Sequence, residues 1–341
     1  MSGNVSFESD QDIDAVILWV DGNDPVLAEK RNRYLKKENI SVSHSGAIST
    51  RFASSDEIRY CVLSILKFAS FVRNIFIVTD KQDPGLNEEV DKYFPGRSAS
   101  IRIVDHSEIF RSYEKYLPTF NSSSILSMIW RIEGLAEHFF CLSDDVFLVR
   151  ELKYNDWFAD KRPVLRGYWR LPPLRIMLGN SVKTFIKRHL QGNSEYQPRI
   201  SFYLRQWKSA RLAGMRSRYF FHCHTPHPLN RTMIEEFFNK NPELLEANIS
   251  YRFRDKDQFL LTSLAYHLEI LSGNKNFAKL DLVYLHPYYS DSRLMKKISE
   301  CKSSRQVKFV CVQSMEMLSE NIQENALKYL DSILNLDPDD R

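Results

Sequence analysis

Short apolar runs alternate with amphipathic stretches over the first 150 residues of the chain. Four runs rich in β-branched and aromatic residues are typical of buried strands, namely 14–20 (DAVILWV), 74–80 (NIFIVTD), 101–104 and 138–142 (HFFCL). Between them, residues 55–71 carry apolar side chains at helical spacing, and residues 121–135 begin with the helix-capping residues Asn and Ser. This alternation predicts an α/β fold with a mostly parallel sheet flanked by helices.

Acidic turns follow three of these predicted strands. Asp21, Asp80 and the pair Asp144 and Asp145 stand at strand ends, which lie at one edge of a parallel sheet, where ligands usually bind. Ionised carboxylates supply oxygen ligands for hard cations, so Asp144 and Asp145 are candidate ligands for Mg²⁺ or Mn²⁺. An ordinary turn or helix cap after a strand would also explain the pair.

A change in composition at residue 161 divides the chain into three predicted parts: 12–160, an α/β part; 161–220, an Arg- and aromatic-rich helical insertion or lid; and 221–341, which completes the core. The insertion would be a solvated face, a surface for anionic lipid headgroups, or a nucleic-acid groove. The nucleic-acid alternative would use Arg199, Arg205, Trp207, Lys208, Arg211, Arg216 and Arg218. With 47 Lys and Arg against 43 Asp and Glu, the nearly balanced charge argues against that class.

The composition of the 341 residues is that of a globular protein with one large or two smaller domains. No run of about 18 apolar residues is present, and the first residues are polar, so we expect a cytoplasmic chain without a spanning helix. The five cysteines have no CxxC spacing, which favours reduced thiols.

Two further segments carry candidate chemistry. Residues 222–227 (HCHTPH) concentrate imidazoles, which can accept a proton from an attacking hydroxyl. Structural zinc, or histidines without a chemical role in an irregular loop, are the alternatives. Residues 252–255 (RFRD) either start a solvated helix or offer a guanidinium to a diphosphate.

Blocks along the whole chain support a specific resemblance. DAVILWVDGNDP (14–25) is followed by RFASSDEIRYCVLSILKFASFVRNIFIVTD (51–80), SDDVFL (143–148), HTPHPLN (224–230), YRFRDKDQF (251–259) and KFVCV (308–312). In this order they resemble the four conserved regions of the Stealth family, the sugar-phosphate transferases of bacterial capsule synthesis. These transferases are related to the animal lysosomal-enzyme GlcNAc-1-phosphotransferase.

The resemblance implies a Rossmann-like or GT-A-like fold, with 12–160 as the part that binds the nucleotide sugar. It also implies roles for individual residues. Asp145, His224 and Arg254 would be catalytic, and the substrate-binding residues would be Asp21, Arg51, Arg59, His227 and Asp257. The chain departs from the family pattern at Leu126 and Trp130, where the family commonly has Glu and His, and at Ser143, Gln313 and Ser314.

The implied reaction is transfer of a sugar-1-phosphate from a nucleotide sugar, such as UDP-GlcNAc, to a hydroxyl of an acceptor glycan, with release of UMP. The product would be a phosphodiester-linked cell-surface polysaccharide, and Mg²⁺ or Mn²⁺ would be the cofactor. Capsule acceptors are often carried on membrane lipids, so peripheral contact with the inner face of the membrane is expected, and a nucleic-acid partner is not. A metal-dependent glycosyltransferase releasing UDP is the enzymatic alternative, and a non-catalytic nucleic-acid-binding protein is the alternative from another class.

Overall fold

The computed structural model describes residues 12–38, 56–193, 196, 198 and 200–337. Its strands are β1 (Ile13–Leu18), β2 (Val72–Thr79), β3 (Ile101–Asp105), β4 (His138–Ser143), β5 (Val146–Leu148), β6 (Phe158–Ala159), β7 (Arg162–Pro163), β8 (Leu165–Arg166), β9 (Tyr168–Arg170), β10 (Tyr219–Phe221), β11 (His227–Asn230), β12 (Phe277–Ala278), β13 (Leu282–Leu285) and β14 (Phe309–Val312). Its α-helices are α1 (Pro25–Lys37), α2 (Glu57–Phe68), α3 (Asn87–Tyr93), α4 (His106–Ile109), α5 (Ser122–Leu126), α6 (Leu174–Phe185), α7 (Phe202–Ala213), α8 (Arg231–Lys240), α9 (Pro242–Ile249), α10 (Leu261–Leu271), α11 (Asp291–Ser303) and α12 (Glu320–Leu334). Arg51 and Arg199, singled out above, lie outside the described residues.

The central sheet has five strands in the order β11-β4-β1-β2-β3. The pairs β1–β2, β1–β4 and β2–β3 are parallel, and β11 pairs antiparallel with β4. The first five residues of β1 are buried, as expected for a central strand covered on both faces. The predicted α/β class with a mostly parallel sheet is therefore confirmed, and the four predicted strands differ from the observed ones by at most two residues at either end.

Two hydrophobic cores cover the two faces of this sheet. On one face α2 buries Ile58, Cys61, Val62 and Ile65, the residues at helical spacing, against β1, β2 and the second sheet β13-β14-β5. On the other face the second core joins residues of α8, α9 and α10, such as Phe238, Ile249 and Leu264, to residues of the sheet and of the segment 125–139. Both cores combine residues from 12–160 and 221–341, and the proposed boundaries at 160 and 220 stay predictions.

The predicted helix over 121–135 is broken in the structure. Asn121 caps α5 as expected, because its side chain accepts a hydrogen bond from the Ser123 amide, but α5 ends at Leu126 and only a 3₁₀ turn follows at Ile129–Arg131. The Ser124 hydroxyl donates to the Tyr251 carbonyl oxygen at 3.0 Å. The Ser127 hydroxyl, just after α5, donates to the Ser123 carbonyl oxygen at 2.9 Å. A serine hydroxyl that bonds to the carbonyl four residues back weakens and bends a helix, and α5 ends at this point.

The insertion is partly core and partly surface. α6 has no buried residue, whereas α7 buries Arg205, Gln206, Trp207, Ser209 and Ala210. The Arg205 guanidinium donates to the Ser123 hydroxyl and to the Phe259 carbonyl oxygen. The interpretation of α7 as a solvated basic face is therefore wrong for Arg205 and Trp207, because both side chains are packed inside the protein. No helix in the described part of the chain is long and apolar enough to cross a bilayer.

Candidate active site

The acidic turns lie at the carboxyl edge of the central sheet, after β1, β2 and β4. Gln82, just beyond β2, ties two of them together. Its amide nitrogen donates to the Asp21 carbonyl oxygen at 3.0 Å and to Asp24 Oδ2 at 3.0 Å. Asp80 forms an ion pair with Lys30 at 2.6 Å. Asp80 therefore has a basic partner, whereas Asp21, Asp144 and Asp145 have none among the ion pairs between described residues.

Asp144 and Asp145 form the turn between β4 and β5. The Asp145 backbone carbonyl accepts from the Val312 amide at 2.9 Å, and the Cys311 thiol donates to Asp145 Oδ2 at 3.7 Å. Asp145 Oδ1 is buried and has no hydrogen-bond partner among the described residues. Burial and the nearby Glu57 carboxylate raise the pKa of Asp145 to about 7. Burial, Asp145 and Glu57 raise the pKa of Asp144.

These carboxylates fit a divalent cation. An orphaned buried oxygen and mutually repelling carboxylates are the features that a bound cation would satisfy. Among the described residues, no group of three or more His, Cys, Asp or Glu side chains is placed to hold a metal by itself. Mg²⁺ commonly binds one or two carboxylates and completes its shell with water and substrate phosphates, so two aspartates suffice for that mode.

His224 lies in the loop between β10 and β11, between two aromatic rings. The Phe202 ring at the start of α7 stacks on it at 5.2 Å between centroids, and the Tyr284 ring of β13 stacks on it at 5.5 Å. Burial, with the positive charge of Arg254 and the nearby His286, lowers the pKa of His224 to about 4. The imidazole is thus neutral at neutral pH and can accept a proton.

Arg254 approaches His224 from the segment between α9 and α10. Its guanidinium donates to the hydroxyl of Ser122 at the start of α5. Gln258 holds this segment in place, since its side-chain oxygen accepts from the Asp255 amide at 3.0 Å and from the Asn121 side chain at 2.9 Å. A guanidinium beside a neutral imidazole can pair with an anionic group while the imidazole takes a proton.

Tyr284 links the acidic turn to the imidazole loop. It lies opposite Cys311 in the β13–β14 register, and Cys311 in turn contacts Asp145. Burial, Cys311 and Asp145 raise the pKa of Tyr284. Tyr284 therefore stacks on His224 and lies near Asp145, while Arg254 lies near His224, although these residues are distant in sequence.

The predicted substrate-binding residues occupy different environments. Asp21 and Arg59 line a cleft of about 820 Å³ beside the first turn of α2, where Arg59 pairs with Glu89. Glu57, in the same turn, raises the pKa values of the acidic pair, so this turn borders both the cleft and Asp144 and Asp145.

The other two predicted substrate-binding residues lie away from this cleft. His227 is only 8% exposed, and its Nδ1 lies 3.2 Å from the Tyr266 hydroxyl. Asp257 is exposed and pairs with Lys256. Substrate contact by either residue stays a prediction.

Sequence reasoning missed Glu57, Tyr284 and Phe202. An acidic residue in the first turn of a helix is common, so the sequence does not distinguish Glu57 from an ordinary first-turn residue of α2. Tyr284 lies in an ordinary apolar strand, and stacking on a histidine 60 residues away depends on tertiary packing. At the departures from the family pattern, Leu126 and Trp130 pack against the second core, and the Trp130 indole donates to the Ser127 carbonyl oxygen at 3.0 Å.

Comparison with known proteins identifies two conserved regions. Stealth protein conserved region 1 matches residues 11–38, and conserved region 2 matches residues 51–164. An exopolysaccharide phosphotransferase of Streptomyces coelicolor is 31% identical over 263 residues, which are 76% of this chain and 26% of the relative. The capsular polysaccharide phosphotransferases LcbA of Aeromonas hydrophila and fcs1 of Haemophilus influenzae are each 32% identical over 257 residues, which are 74% of this chain and 63% of the relative.

The chain thus spans between about a quarter and just under two thirds of the length of these relatives. Among solved structures, the galactosyltransferase LgtC with donor and acceptor sugar analogues aligns with a TM-score of 0.41 at 9% identity, covering 96% of this chain and 98% of that one. A mouse xyloside xylosyltransferase aligns with a TM-score of 0.36 at 12% identity, covering 88% and 97%. With both conserved regions in place and relatives named polysaccharide phosphotransferases aligned over three quarters of its length, the chain belongs to the Stealth family.

Proposed function

We propose that the protein transfers a sugar-1-phosphate from a nucleotide sugar, a UDP-sugar such as UDP-GlcNAc, to a hydroxyl of an acceptor glycan. The bond between the acceptor oxygen and the sugar-bearing phosphorus forms, the bond from that phosphorus to the bridging oxygen breaks, and UMP leaves. The observation that carries the proposal is the neutral imidazole of His224 beside Arg254, with Tyr284 between it and the acidic turn. The names of the relatives support the same reaction class.

His224 takes the proton of the attacking hydroxyl. Its lowered pKa makes it a weak base in the free protein, but a diphosphate beside Arg254 would offset the guanidinium charge and raise the pKa of His224 towards the operating pH. Arg254 stabilises charge on the transferred phosphate. Asp145, with Asp144, would hold Mg²⁺ or Mn²⁺, which supplies charge neutralisation for the diphosphate when bound.

The donor would extend from the acidic turn towards the cleft that contains Asp21 and Arg59, because the first turn of α2 borders both. The proposal includes a lipid-linked acceptor and activity at the inner face of the membrane. The basic, aromatic-rich insertion, which suits anionic headgroups, leads directly into the His224 loop through β10. The burial of Arg205 and Trp207 leaves the nucleic-acid alternative without two of its stacking and neutralising groups.

Product analysis tests the proposal. The purified protein is incubated with a panel of UDP-sugars, Mg²⁺ and capsule-type acceptors, and the nucleotide products are separated. We expect UMP together with a phosphodiester product, whereas UDP would favour the glycosyltransferase alternative and contradict phosphotransfer.

Variants test the individual roles. We expect His224→Ala, Arg254→Gln and Asp145→Asn each to lower turnover by roughly a hundredfold or more, as for single proton-transfer or charge-stabilising groups in other enzymes. Arg33→Gln and Asp160→Asn are matched controls, since both residues are exposed and outside the site. Near-parental turnover of His224→Ala would show that the proton goes elsewhere.

A further inference from the structure

An exposed apolar surface lies on α6 and the five-residue π-helix that follows it (Ile186–Leu190), which together we call the α6 surface. No residue in either segment is buried. The less exposed positions of α6 are Ile176, Asn180 and Thr184, which repeat every four residues and therefore face the protein. The apolar stripe consequently points to solvent and includes Leu174, Met177, Leu178, Val182, Phe185 and Leu190. An amphipathic helix in a globular protein normally has the opposite orientation.

The charge of this region is uniformly positive. Between residues 161 and 194 the sequence contains eight Lys and Arg and no Asp or Glu. Of these, Arg175, Lys183 and Arg188 are exposed on the α6 surface. A basic helix with an exposed apolar stripe combines the two attractions that hold proteins at anionic bilayers, namely acyl-chain contact and headgroup charge.

Length determines how such a segment sits. Seventeen residues (174–190) in helical geometry extend about 25 Å, which is less than the roughly 30 Å hydrocarbon core of a bilayer. Together with the basic residues, this length favours a helix that lies in the plane of the interface. A second copy of the chain is a poorer occupant, because a two-fold interface would place two basic surfaces against each other.

We propose that the α6 surface docks on an anionic lipid bilayer. Only residues 171–173 separate α6 from β9, and β9 pairs with β10, with Tyr168 opposite Phe221. His224 follows β10 by three residues, so docking holds the His224 loop close to the membrane. The consequence for catalysis, access to a lipid-linked acceptor, rests on the proposed function, whereas membrane docking does not.

Vesicle sedimentation of the full chain tests the docking. One set of vesicles contains phosphatidylglycerol and phosphatidylcholine in equal parts, and the other contains phosphatidylcholine alone. We expect wild type to sediment with the anionic vesicles and to be released by raised ionic strength. Leu178→Glu/Val182→Glu should lower the partition coefficient by roughly tenfold or more, since it removes two apolar side chains from the stripe and adds two negative charges.

A matched double variant makes the same chemical change elsewhere. Val26→Glu/Met317→Glu replaces two exposed apolar side chains far from α6 in sequence and should sediment like wild type. Circular dichroism confirms that each variant is folded.

Equal sedimentation with both vesicle types, no loss of sedimentation in Leu178→Glu/Val182→Glu, or an equal loss in the matched variant would each overturn the proposal. The proposal would also be overturned if wild type did not bind vesicles and formed a dimer that Leu178→Glu/Val182→Glu dissociates. UMP release in a detergent-free assay with a water-soluble acceptor should be the same in all three proteins, which separates a failure of docking from a failure of the proposed reaction.

Discussion

The surroundings of His224 determine its protonation state at the scale of a single residue. Burial between the Phe202 and Tyr284 rings, with the Arg254 charge nearby, lowers its pKa from 6.5 to about 4. The Phe202→Ala variant should expose the imidazole to water, which stabilises the protonated form, so the pKa of His224 should rise towards 6.5. NMR titration of the imidazole ring protons measures this pKa directly and without substrate.

The neighbouring residue of α7 provides the control for this titration. The Tyr203 ring stacks on Phe221 at 5.0 Å, whereas the rings that stack on His224 are those of Phe202 and Tyr284, so Tyr203→Ala should leave the pKa of His224 at its wild-type value. A wild-type pKa near 6.5, or the same shift in both variants, would contradict the burial that we assign to this imidazole.

At the scale of elements, the first turn of α2 influences the acidic pair. Glu57 raises the pKa values of Asp144 and Asp145 and therefore adds negative charge where a cation would bind. Glu57→Gln should raise the Mn²⁺ concentration needed for half-maximal thermal stabilisation, at fixed UDP, by about tenfold, the size expected for one nearby charge at intermediate dielectric. Glu29→Gln, on the exposed face of α1, should leave that concentration unchanged. Equal Mn²⁺ dependence in Glu57→Gln and wild type would show that Glu57 does not act on the cation.

Elements also show how far the sequence predicts this molecule. The parallel strands follow from continuous apolar runs, because a strand covered on both faces buries successive side chains, and α2 follows from apolar residues at helical spacing. The break in the helix predicted over 121–135 does not follow from apolar spacing, because this segment packs through serine hydrogen bonds, such as that of Ser124 to the distant Tyr251 carbonyl oxygen. The acidic turn and the histidine loop are visible as motifs, but the tyrosine between them depends on the register of β13 and β14, in which Tyr284 lies opposite Cys311. Strand register across a second sheet has no local signal in the sequence.

Buried imidazoles make the whole molecule sensitive to acid. Burial lowers the pKa values of five histidines. The pKa of His222 falls to about 3, those of His106, His224 and His267 fall to about 4, and that of His227 lies well below its usual range. Below pH 6.5 the unfolded chain therefore binds more protons at these sites than the folded chain, and stability is lost as the pH falls. Asp144 and Asp145 act in the opposite direction, because their raised pKa values favour proton binding by the folded state. The histidines outnumber them, so acidification should destabilise the fold.

His267 isolates one part of this acid sensitivity. Its Nε2 accepts from the Phe220 amide at 2.9 Å and its Nδ1 lies 2.5 Å from the Ser263 carbonyl oxygen, so a second proton on the ring would displace the Phe220 bond. In His267→Gln, the decrease in unfolding free energy between pH 6 and 4.5 should be less steep than in wild type by about 1 kcal/mol per pH unit, since the unfolded chain binds nearly one more proton at this site than the folded chain. Urea unfolding at several pH values measures the slope, with Asn321→Gln on the exposed part of α12 as the control that keeps the wild-type slope. An unchanged slope in His267→Gln would mean that the folded protein accommodates this proton, and that the acid sensitivity comes from other groups.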